Sequence, residues 1–311
     1  MSGISANDMN AVSQLRARRP YLVLRAKLFA AIRAFFDSRD WLEVETPVRI
    51  TAPAPEEYIE TLTSEGKWLR PSPELEMKIL VGAGFGNIYQ IGPCFRANEY
   101  GRKHREEFTM LEYYAVMADY RELAGFTAEM IKFAALKLNG SGKVLYSGKN
   151  IDLAAEPRWL TVKEAFELYA PGSMEEALEK DLFDLWMVEH IEPALGNEVL
   201  TFLADYPASR ASLARLKKDE PDFAERWEAY IAGIELANAF GELLDPVEQR
   251  SRFALANSIR KENGIVEYPV REDFFAALES GLPSVSGSAL GLDRLAMIFA
   301  GTDDISDIRT F

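Results

Sequence analysis

The sequence predicts an α+β fold in which an antiparallel sheet is flanked by helices. Two β-prone runs, 88–95 and 108–116, are separated by a charged segment, which is typical of antiparallel strands joined by a long loop. A helical stripe of apolar residues precedes this pair, and another β-prone block begins at Ile234. The 311 residues are enough for one large domain.

Composition and charge exclude several classes of protein. Hydrophobic residues make up 48% and charged residues 27%, as in ordinary globular chains. The single cysteine, Cys94, excludes an internal disulfide and a multi-cysteine zinc site. The net charge of −14 argues against a protein whose main ligand is nucleic acid, because phosphate binding needs clustered Lys and Arg. No apolar run could span a membrane and no signal-peptide core is present, so we expect a cytoplasmic protein.

The second β-prone run concentrates polar chemistry on one face. Side chains alternate across a strand. One face therefore carries Phe108, Met110, Glu112, Tyr114 and Val116. A carboxylate and a phenol on an otherwise apolar face are unfavourable to bury without a ligand. Arg96 lies where the first strand meets the loop. Two interpretations remain open: the hairpin forms a binding site, or it is a solvated hairpin in which Glu112 has no function.

This stretch resembles motif 2 of class II aminoacyl-tRNA synthetases in its lysyl form. The resemblance is carried by Phe95-Arg96, the charged loop, and 107–114, which reads Glu-Phe-Thr-Met-Leu-Glu-Tyr-Tyr. It implies that Arg96 holds the α-phosphate of ATP and that the Phe108 ring stacks on adenine. It also implies that Glu112 and Tyr114 bind the ammonium group of the substrate side chain.

The motif 2 loop departs from the family pattern. The usual Phe-Arg-x-Glu reads Phe-Arg-Ala-Asn at 95–98, and the usual His-Asn-Pro-Glu reads His-Arg-Glu-Glu at 104–107. These changes fall where adenine is recognised. The resemblance implies that the ATP contacts of the loop come from Ala97, Asn98, Glu99, His104 and Arg105.

The N-terminal part predicts a flexible segment, a helix and a strand. Residues 1–20 are small and polar, which indicates a flexible segment. Apolar residues recur at helical spacing from Tyr21 to Asp40, and 41–47 alternates like a strand that ends in a proline. A long helix, a strand and a closing proline resemble motif 1, which builds the dimer interface in class II enzymes. We therefore expect a catalytic domain over 21–311 and a homodimer.

Ser72, Pro73 and Glu74 allow two interpretations. Ser72 could cap a helix that begins at Pro73, with Glu74 in its first turn. The stretch is also similar to the Ser-Pro-Glu segment of lysyl-type enzymes, in which the serine and the glutamate bind the backbone amine of the substrate. The second interpretation is favoured because motif 2 lies just downstream. The glycines of 82–86 lack the spacing of a nucleotide-binding loop and predict a turn.

Few residues in the middle of the chain indicate a catalytic or binding role. A helix is predicted over 119–138, followed by a turn at 139–142. The region 143–225 mixes short helices and turns, and an acidic amphipathic helix is predicted near 174–195. We therefore expect a helical insertion over about 143–225.

A third block, 228–243, places acidic residues among apolar neighbours. The polar members are Glu228, Glu235, Asn238 and Glu242. Carboxylates and an amide this close in sequence suit a Mg²⁺ site beside an ammonium pocket, and the alternative is a charge-bearing edge strand. The resemblance places Mg²⁺–ATP on Glu228 and Glu235, with Leu236 beside ATP. It places the substrate ammonium on Glu242 and the substrate next to Asn238.

The last block, 283–297, resembles motif 3. Its glycines let a strand pass close to a ligand, and a helix is predicted to begin near Asp293 with its N-terminus towards the same cavity. The resemblance implies that Gly291 and Arg294 contact ATP. Arg96 and Arg294 are then the catalytic residues, which stabilise charge on the α-phosphate together with Mg²⁺.

Two features resemble the elongation factor P–(R)-β-lysine ligase family. Only about 20 residues precede motif 1, so we expect the core without the anticodon-reading domain of lysyl-tRNA synthetases. Ala289 stands where those enzymes have glycine, and its methyl crowds the pocket around the α-amine. The resemblance implies that (R)-β-lysine or lysine is activated with ATP and transferred to a lysine of elongation factor P, with tRNA not the acceptor. The alternatives are a truncated lysyl-tRNA synthetase that charges tRNA and a non-catalytic paralogue.

Overall fold

The structure is a computed structural model that describes residues 6–311, with the backbone alone for 6–10. The α-helices are α1 (Ala6–Asp37), α2 (Glu74–Gly82), α3 (Tyr120–Asn139), α4 (Val162–Tyr169), α5 (Met174–Glu179), α6 (Phe183–Trp186), α7 (Pro246–Glu262), α8 (Glu272–Glu279) and α9 (Leu292–Ala300). The strands are β1 (Leu42–Glu43), β2 (Arg49–Ile50), β3 (Thr63–Ser64), β4 (Lys67–Leu69), β5 (Ile88–Phe95), β6 (Glu107–Val116), β7 (Lys143–Tyr146), β8 (Lys149–Asp152), β9 (Arg158–Thr161), β10 (Thr201–Pro207), β11 (Phe223–Ile231), β12 (Ile234–Gly241) and β13 (Val285–Gly291). No helix among residues 6–311 is both long and apolar enough to cross a bilayer.

Eight of these strands form one sheet in the order β1-β5-β6-β13-β12-β11-β10-β9. The six central strands pair antiparallel, whereas β1 on β5 and β9 on β10 are parallel pairs at the two edges. The predicted α+β class, a largely antiparallel sheet flanked by helices, is confirmed. Two small sheets, β2-β4-β3 and β7-β8, lie apart from it.

The predicted hairpin is confirmed as β5 and β6, which pair from Ile88↔Tyr114 to Phe95↔Glu107. The turn predicted over 82–86 and the helix predicted over 119–138 are confirmed as well. Helix α3 begins where Asp119 and Glu122 form a capping box, and it ends at Gly140 in the left-handed conformation.

The sheet separates the main apolar core from a cavity. Tyr89 and Tyr113 face the core with Phe36 of α1, whose ring stacks on that of Tyr89 with the centroids 4.2 Å apart. Helices α1, α3 and α9 pack on this side. Because successive side chains point to opposite faces, Glu112 and Tyr114 face the other side. The hairpin therefore contributes both to the core and to the cavity.

The N-terminal predictions need correction. Helix α1 begins at Ala6 and not at Tyr21, and 1–5 of the predicted flexible segment lie outside the described residues. The side chains of 11–20 are mostly solvent-exposed, so this part of the helix has no apolar stripe that periodicity could detect. The strand predicted over 41–47 is reduced to Leu42–Glu43, and the Thr46 N–H donates to the side chain of Gln90 on β5 and not to the backbone of that strand.

The predicted helical insertion over 143–225 is wrong in part. Strands β9 and β10 lie in this region and extend the main sheet beyond β11. Every residue of β10 is buried, so the strand lacks the polar and apolar alternation that marks an exposed one. The helix predicted near 174–195 is broken into α5, α6 and a π turn, and Asp181, with a φ of 54°, interrupts it.

Candidate active site

One row of side chains crosses the cavity face of the sheet. The residues directly opposite one another are Gln90↔Glu112, Glu112↔Ala289, Ala289↔Asn238 and Asn238↔Glu228. Opposed residues on neighbouring strands share a face, so four residues that the sequence selected separately are brought side by side. The row runs from β5 to β11 and lines up the residues predicted to bind the ammonium group, the methyl of Ala289 and the acidic block.

The cavity and its mouth together span about 1090 Å³, part of which is open to solvent. Most residues predicted to bind the amino acid line it, namely Ser72, Glu74, Glu112, Tyr114, Asn238, Glu242 and Ala289. Most residues predicted to bind ATP also line it, namely Arg96, Glu99, His104, Arg105, Phe108, Glu235, Leu236, Gly291 and Arg294. Pro73, Ala97, Asn98 and Glu228 do not belong to this lining.

At one end of the cavity, Glu112 is buried and accepts two hydrogen bonds. The Tyr114 hydroxyl donates to Oε1 over 2.8 Å, and the Ser72 hydroxyl donates to Oε2 over 2.7 Å. Ser72 Oγ also accepts from the Glu74 backbone N–H at 3.0 Å. Ser72 therefore accepts from the first residue of α2, as the capping interpretation expects, and its binding of the substrate amine stays a prediction. The helix begins at Glu74, one residue after the predicted start.

Lys78 is a buried residue that the sequence interpretation missed. Its Nζ lies 2.5 Å from Glu74 Oε1 and 2.5 Å from Glu242 Oε2, and its side chain is fully buried. Glu74 and Lys78 are four residues apart on a helix, which in sequence looks like an ordinary surface ion pair. Only the proximity of Glu242, from the end of β12, reveals a charge cluster.

Burial raises the pKa of two carboxylates at this end, Glu112 and Glu242. The pKa of Glu112 is raised to about 8 by burial and by the charge of Glu74. The pKa of Glu242 is raised to about 7 by burial, and Lys78 opposes that rise. The pKa of Lys78 is raised because the attraction of Glu242 and Glu74 outweighs its burial, so Lys78 stays charged. The end of the cavity thus holds more negative charge than its single lysine neutralises, which favours a cationic ligand.

Gly287 is needed where the chain passes this cluster. A Cβ at this position would collide with Glu242 Oε1 and with the ring of Tyr114. The sequence showed only a glycine in a strand, and the close approach becomes apparent only when β13 is placed between β6 and β12. Any larger residue here would displace both polar groups.

The opposite end of the cavity carries two arginines. The Arg96 guanidinium carbon lies 5.3 Å from the centroid of the Phe108 ring, and Arg96 Nε is buried with no acceptor among the described residues. Arg294 donates to the Glu235 backbone carbonyl over 2.8 Å and lies 2.5 Å from His104 Nε2. An orphaned guanidinium donor beside an aromatic ring fits a nucleotide phosphate and its base.

The start of α9 is fixed by Asp293, which is almost fully buried. Its carboxylate accepts from Arg25 of α1 over 3.0 Å, from the Thr109 backbone N–H over 2.8 Å and from Arg309 over 3.0 Å. These bonds join the N-terminal helix, the second hairpin strand and the C-terminal segment. The sequence interpretation named Asp293 only as the expected start of the helix and missed these bonds, although the residue directly precedes Arg294.

The predicted metal residues lie on neighbouring strands but are not assembled as a site. Glu228 on β11 accepts from Arg226 and from the Tyr230 hydroxyl, each over 2.6 Å. The pKa of Glu192 is raised to about 7 by burial and then by the charges of Glu228 and Glu235. Within 6–311 no group of three or more His, Cys, Asp and Glu side chains is arranged to hold a metal ion. The oxygen donors fit Mg²⁺ in kind, and a cation there would relieve their repulsion.

Comparison with known proteins finds similarity along nearly the whole chain. Residues 11–311 match the family model described as tRNA synthetases class II (D, K and N). The chain is 40% identical to an elongation factor P–(R)-β-lysine ligase of Proteus mirabilis, over 93% of this chain and 94% of that protein. It is 36% identical to a protein of that name from Vibrio cholerae, over 97% and 95%. A lysine–tRNA ligase of Prochlorococcus marinus is 34% identical, over 92% of this chain and 62% of that protein.

The raised pKa of Glu112 predicts a pH-dependent gain in stability for Glu112→Gln. A carboxyl whose folded pKa lies above its ordinary value stabilises the fold below that ordinary value, and this stability is lost as the pH rises through about 8. The glutamine cannot ionise. The free energy of unfolding of the variant, relative to wild type, should therefore rise between pH 5 and pH 8 by at most about 1.4 kcal/mol per pH unit.

Urea unfolding at several pH values measures this difference. Glu167→Gln, at an exposed position of α4, serves as the control and should show no such trend. A difference between Glu112→Gln and wild type that stays constant from pH 5 to pH 9 would contradict the assignment of a buried, ionising Glu112.

Proposed function

The chain belongs to the class II tRNA synthetases of the D, K and N group, and on that premise we propose that it activates (R)-β-lysine or lysine with ATP and transfers it to a lysine side chain of elongation factor P. One observation carries the proposal: a single cavity has a carboxylate-rich end and an arginine-rich end. The first suits a substrate ammonium and the second suits nucleotide phosphates. The relatives that match over nearly their whole length are named for this reaction.

The reaction class is that of an ATP-dependent amino-acid ligase. In the first step the substrate carboxylate attacks the α-phosphate, an oxygen–phosphorus bond forms, and pyrophosphate leaves. The carboxylate is already ionised, so this step needs no general base. Arg96 and Arg294 approach from the end of β5 and the start of α9, and they stabilise the charge that develops on the α-phosphate.

Glu235 and Glu228 are proposed to hold Mg²⁺, which when bound neutralises phosphate charge. Arg294 donates to the Glu235 backbone carbonyl, so the proposed metal residue and the proposed phosphate residue are held together before ATP binds. Glu228 would have to exchange a bond from Arg226 or Tyr230. Glu192 lies close enough to both carboxylates to be a further candidate.

In the second step the acceptor amine attacks the carbonyl of the adenylate, an amide forms and AMP leaves. The attacking lysine must first lose its proton, and its ordinary pKa of about 10.4 makes the neutral form scarce at pH 7. Docking beside Arg96 lowers the pKa of a nearby amine through repulsion between like charges. The proposed acceptor takes part in translation, so we propose the cytoplasm as the place of the reaction.

The amino acid is proposed to lie along the row of the sheet. Glu112, Tyr114 and Glu242 bind the distal ammonium, and Ser72 and Glu74 meet the second amine. The methyl of Ala289 projects between Glu112 and Asn238 and so limits where that amine can lie. A substrate whose amine is displaced by one carbon, as in a β-amino acid, fits this restriction.

We further propose a homodimer that forms through α1 and the β1 edge. Among the strands of residues 6–311, β1 has a neighbour on one side only, and its Leu42 is 47% exposed. Val23 of α1 is also exposed. An uncovered edge strand beside exposed apolar side chains suits a second copy of the chain. Sedimentation at micromolar concentration distinguishes the dimer from a monomer.

Labelled (R)-β-lysine should be transferred to purified elongation factor P in the presence of ATP, in a bond that resists alkali. The amide on a lysine ε-amine is stable to alkali, whereas the ester on a tRNA ribose is not. Parallel incubations with elongation factor P and with total tRNA measure both acceptors.

Two variants serve as controls for this assay. Glu242→Gln should abolish labelling, since breaking a buried ion pair is worth about 3–5 kcal/mol, whereas Glu167→Gln should leave it unchanged. Alkali-labile label on tRNA, with none on the protein, would replace the proposed acceptor by tRNA.

Ala289→Gly should shift preference from (R)-β-lysine towards lysine. Loss of the methyl opens space between Glu112 and Asn238, and one methyl in a pocket changes discrimination by about 10-fold to 200-fold. The ratio of kcat/KM for the two isomers in ATP–pyrophosphate exchange measures the shift. Ala155→Gly, at an exposed turn, should leave the ratio unchanged. An equal ratio in wild type and Ala289→Gly would show that Ala289 does not select the isomer.

A further inference from the structure

Lys78 stands behind the carboxylates of the cavity without lining it. Its Nζ contacts one oxygen of Glu74 and one oxygen of Glu242, each at 2.5 Å, while both glutamates line the cavity. The side chain is fully buried and comes from the inward face of α2. A substrate amine therefore approaches these glutamates from the cavity side, with Lys78 already bound on the far side.

The charges at this end can be counted from contacts alone. The buried or nearly buried carboxylates are those of Glu74, Glu112 and Glu242, and Lys78 is the cation that pairs with two of them. When all four groups are ionised, the net charge is −2. A diamino acid presents two ammonium groups to this end, so its positive charge matches the count.

We propose that Lys78 is a positioning residue that limits the net charge of these ionised groups to −2 when a substrate is bound and orients Glu74 and Glu242, so that the site selects amino acids with two ammonium groups. This inference rests on the proposed function, because it assumes that the cavity binds an amino acid. It goes further in naming the residue that sets the charge requirement. Lys78 contacts neither ATP nor the reacting atoms and acts through the two glutamates.

The charged groups around Lys78 determine how its removal would change the protonation of the neighbouring carboxylates. The titratable and charged groups facing Lys78 or its partners are Glu74 on α2, Glu112 and Tyr114 on β6, Glu242 after β12, Glu56, whose charge interacts with that of Glu74, and Arg215, whose charge reaches Glu242. On the side of α2 that faces α8, Arg271 pairs with Glu76. Removal of the Lys78 charge leaves the carboxylates with only the more distant Arg215, so they retain a proton to higher pH.

Lys78→Met is therefore expected to change the protons exchanged on binding. The free variant should hold about one proton more than wild type at pH 7, and it should release that proton when a diamino acid binds. Calorimetric titration with lysine and (R)-β-lysine, in two buffers of different ionisation enthalpy, measures this count. The curve of KM against pH should shift to higher pH by about one unit. The KM for the diamino acid at pH 7 should therefore rise about tenfold. The kcat at saturation should change less than KM.

Two further variants separate charge from shape. Lys78→Arg keeps the charge and should keep the wild-type proton count. Glu74→Gln removes one negative charge, keeps Lys78 and should release fewer protons than wild type. These two variants carry the test if Lys78→Met fails to fold, which circular dichroism would show.

The outcomes distinguish this inference from the proposed function. If wild type binds neither diamino acid, the proposed function fails and the role of Lys78 fails with it. If wild type binds them but the folded variants match its proton count and KM–pH curve, Lys78 has only a structural role and this inference alone is overturned. A variant with a lowered unfolding midpoint and an unchanged proton count would show this purely structural role.

Discussion

The buried negative charge at one end of the cavity is the constraint on which the rest of the site depends. Glu112 and Glu242 are removed from water almost completely, and burial raises the pKa of both. Buried carboxylates persist only when donors and cations surround them. The structure supplies Ser72 and Tyr114 as donors and Lys78 as a cation, and it leaves room for a further cation. The preference for an ammonium substrate follows from this incomplete neutralisation.

The sheet makes that arrangement possible. Antiparallel pairing of β6, β13, β12 and β11 places Glu112, Ala289, Asn238 and Glu228 in one row. A shift of one residue in any pairing would turn its side chains to the core face. The core under α1, α3 and α9 therefore also protects the register of the site, and Asp293 ties α1 and α9 to the hairpin.

The sequence predicted the parts of this protein that depend on local pattern. The β5–β6 hairpin, α3 and the shared face of Glu112 and Tyr114 follow from alternation, periodicity and capping. Contacts between distant segments could not be predicted, because Lys78 and Glu242 meet only after α2 docks beneath the sheet. Likewise, the need for glycine at 287 depends on Glu242 and Tyr114, which lie on or just after other strands. Strand β10 was missed because a wholly buried strand shows no alternation, and the edge strand β9, which pairs with it, has only four residues.

The central claim is that buried carboxylates select a substrate by its distal ammonium. ATP–pyrophosphate exchange with lysine, (R)-β-lysine and norleucine tests it most directly, since norleucine has nearly the length of lysine and lacks only the distal amine. A site built to bind a polar group rejects the analogue without it by about 10⁴-fold to 10⁵-fold. A loss of that order in kcat/KM is therefore expected for norleucine. Activation of norleucine comparable to that of either diamino acid would contradict it.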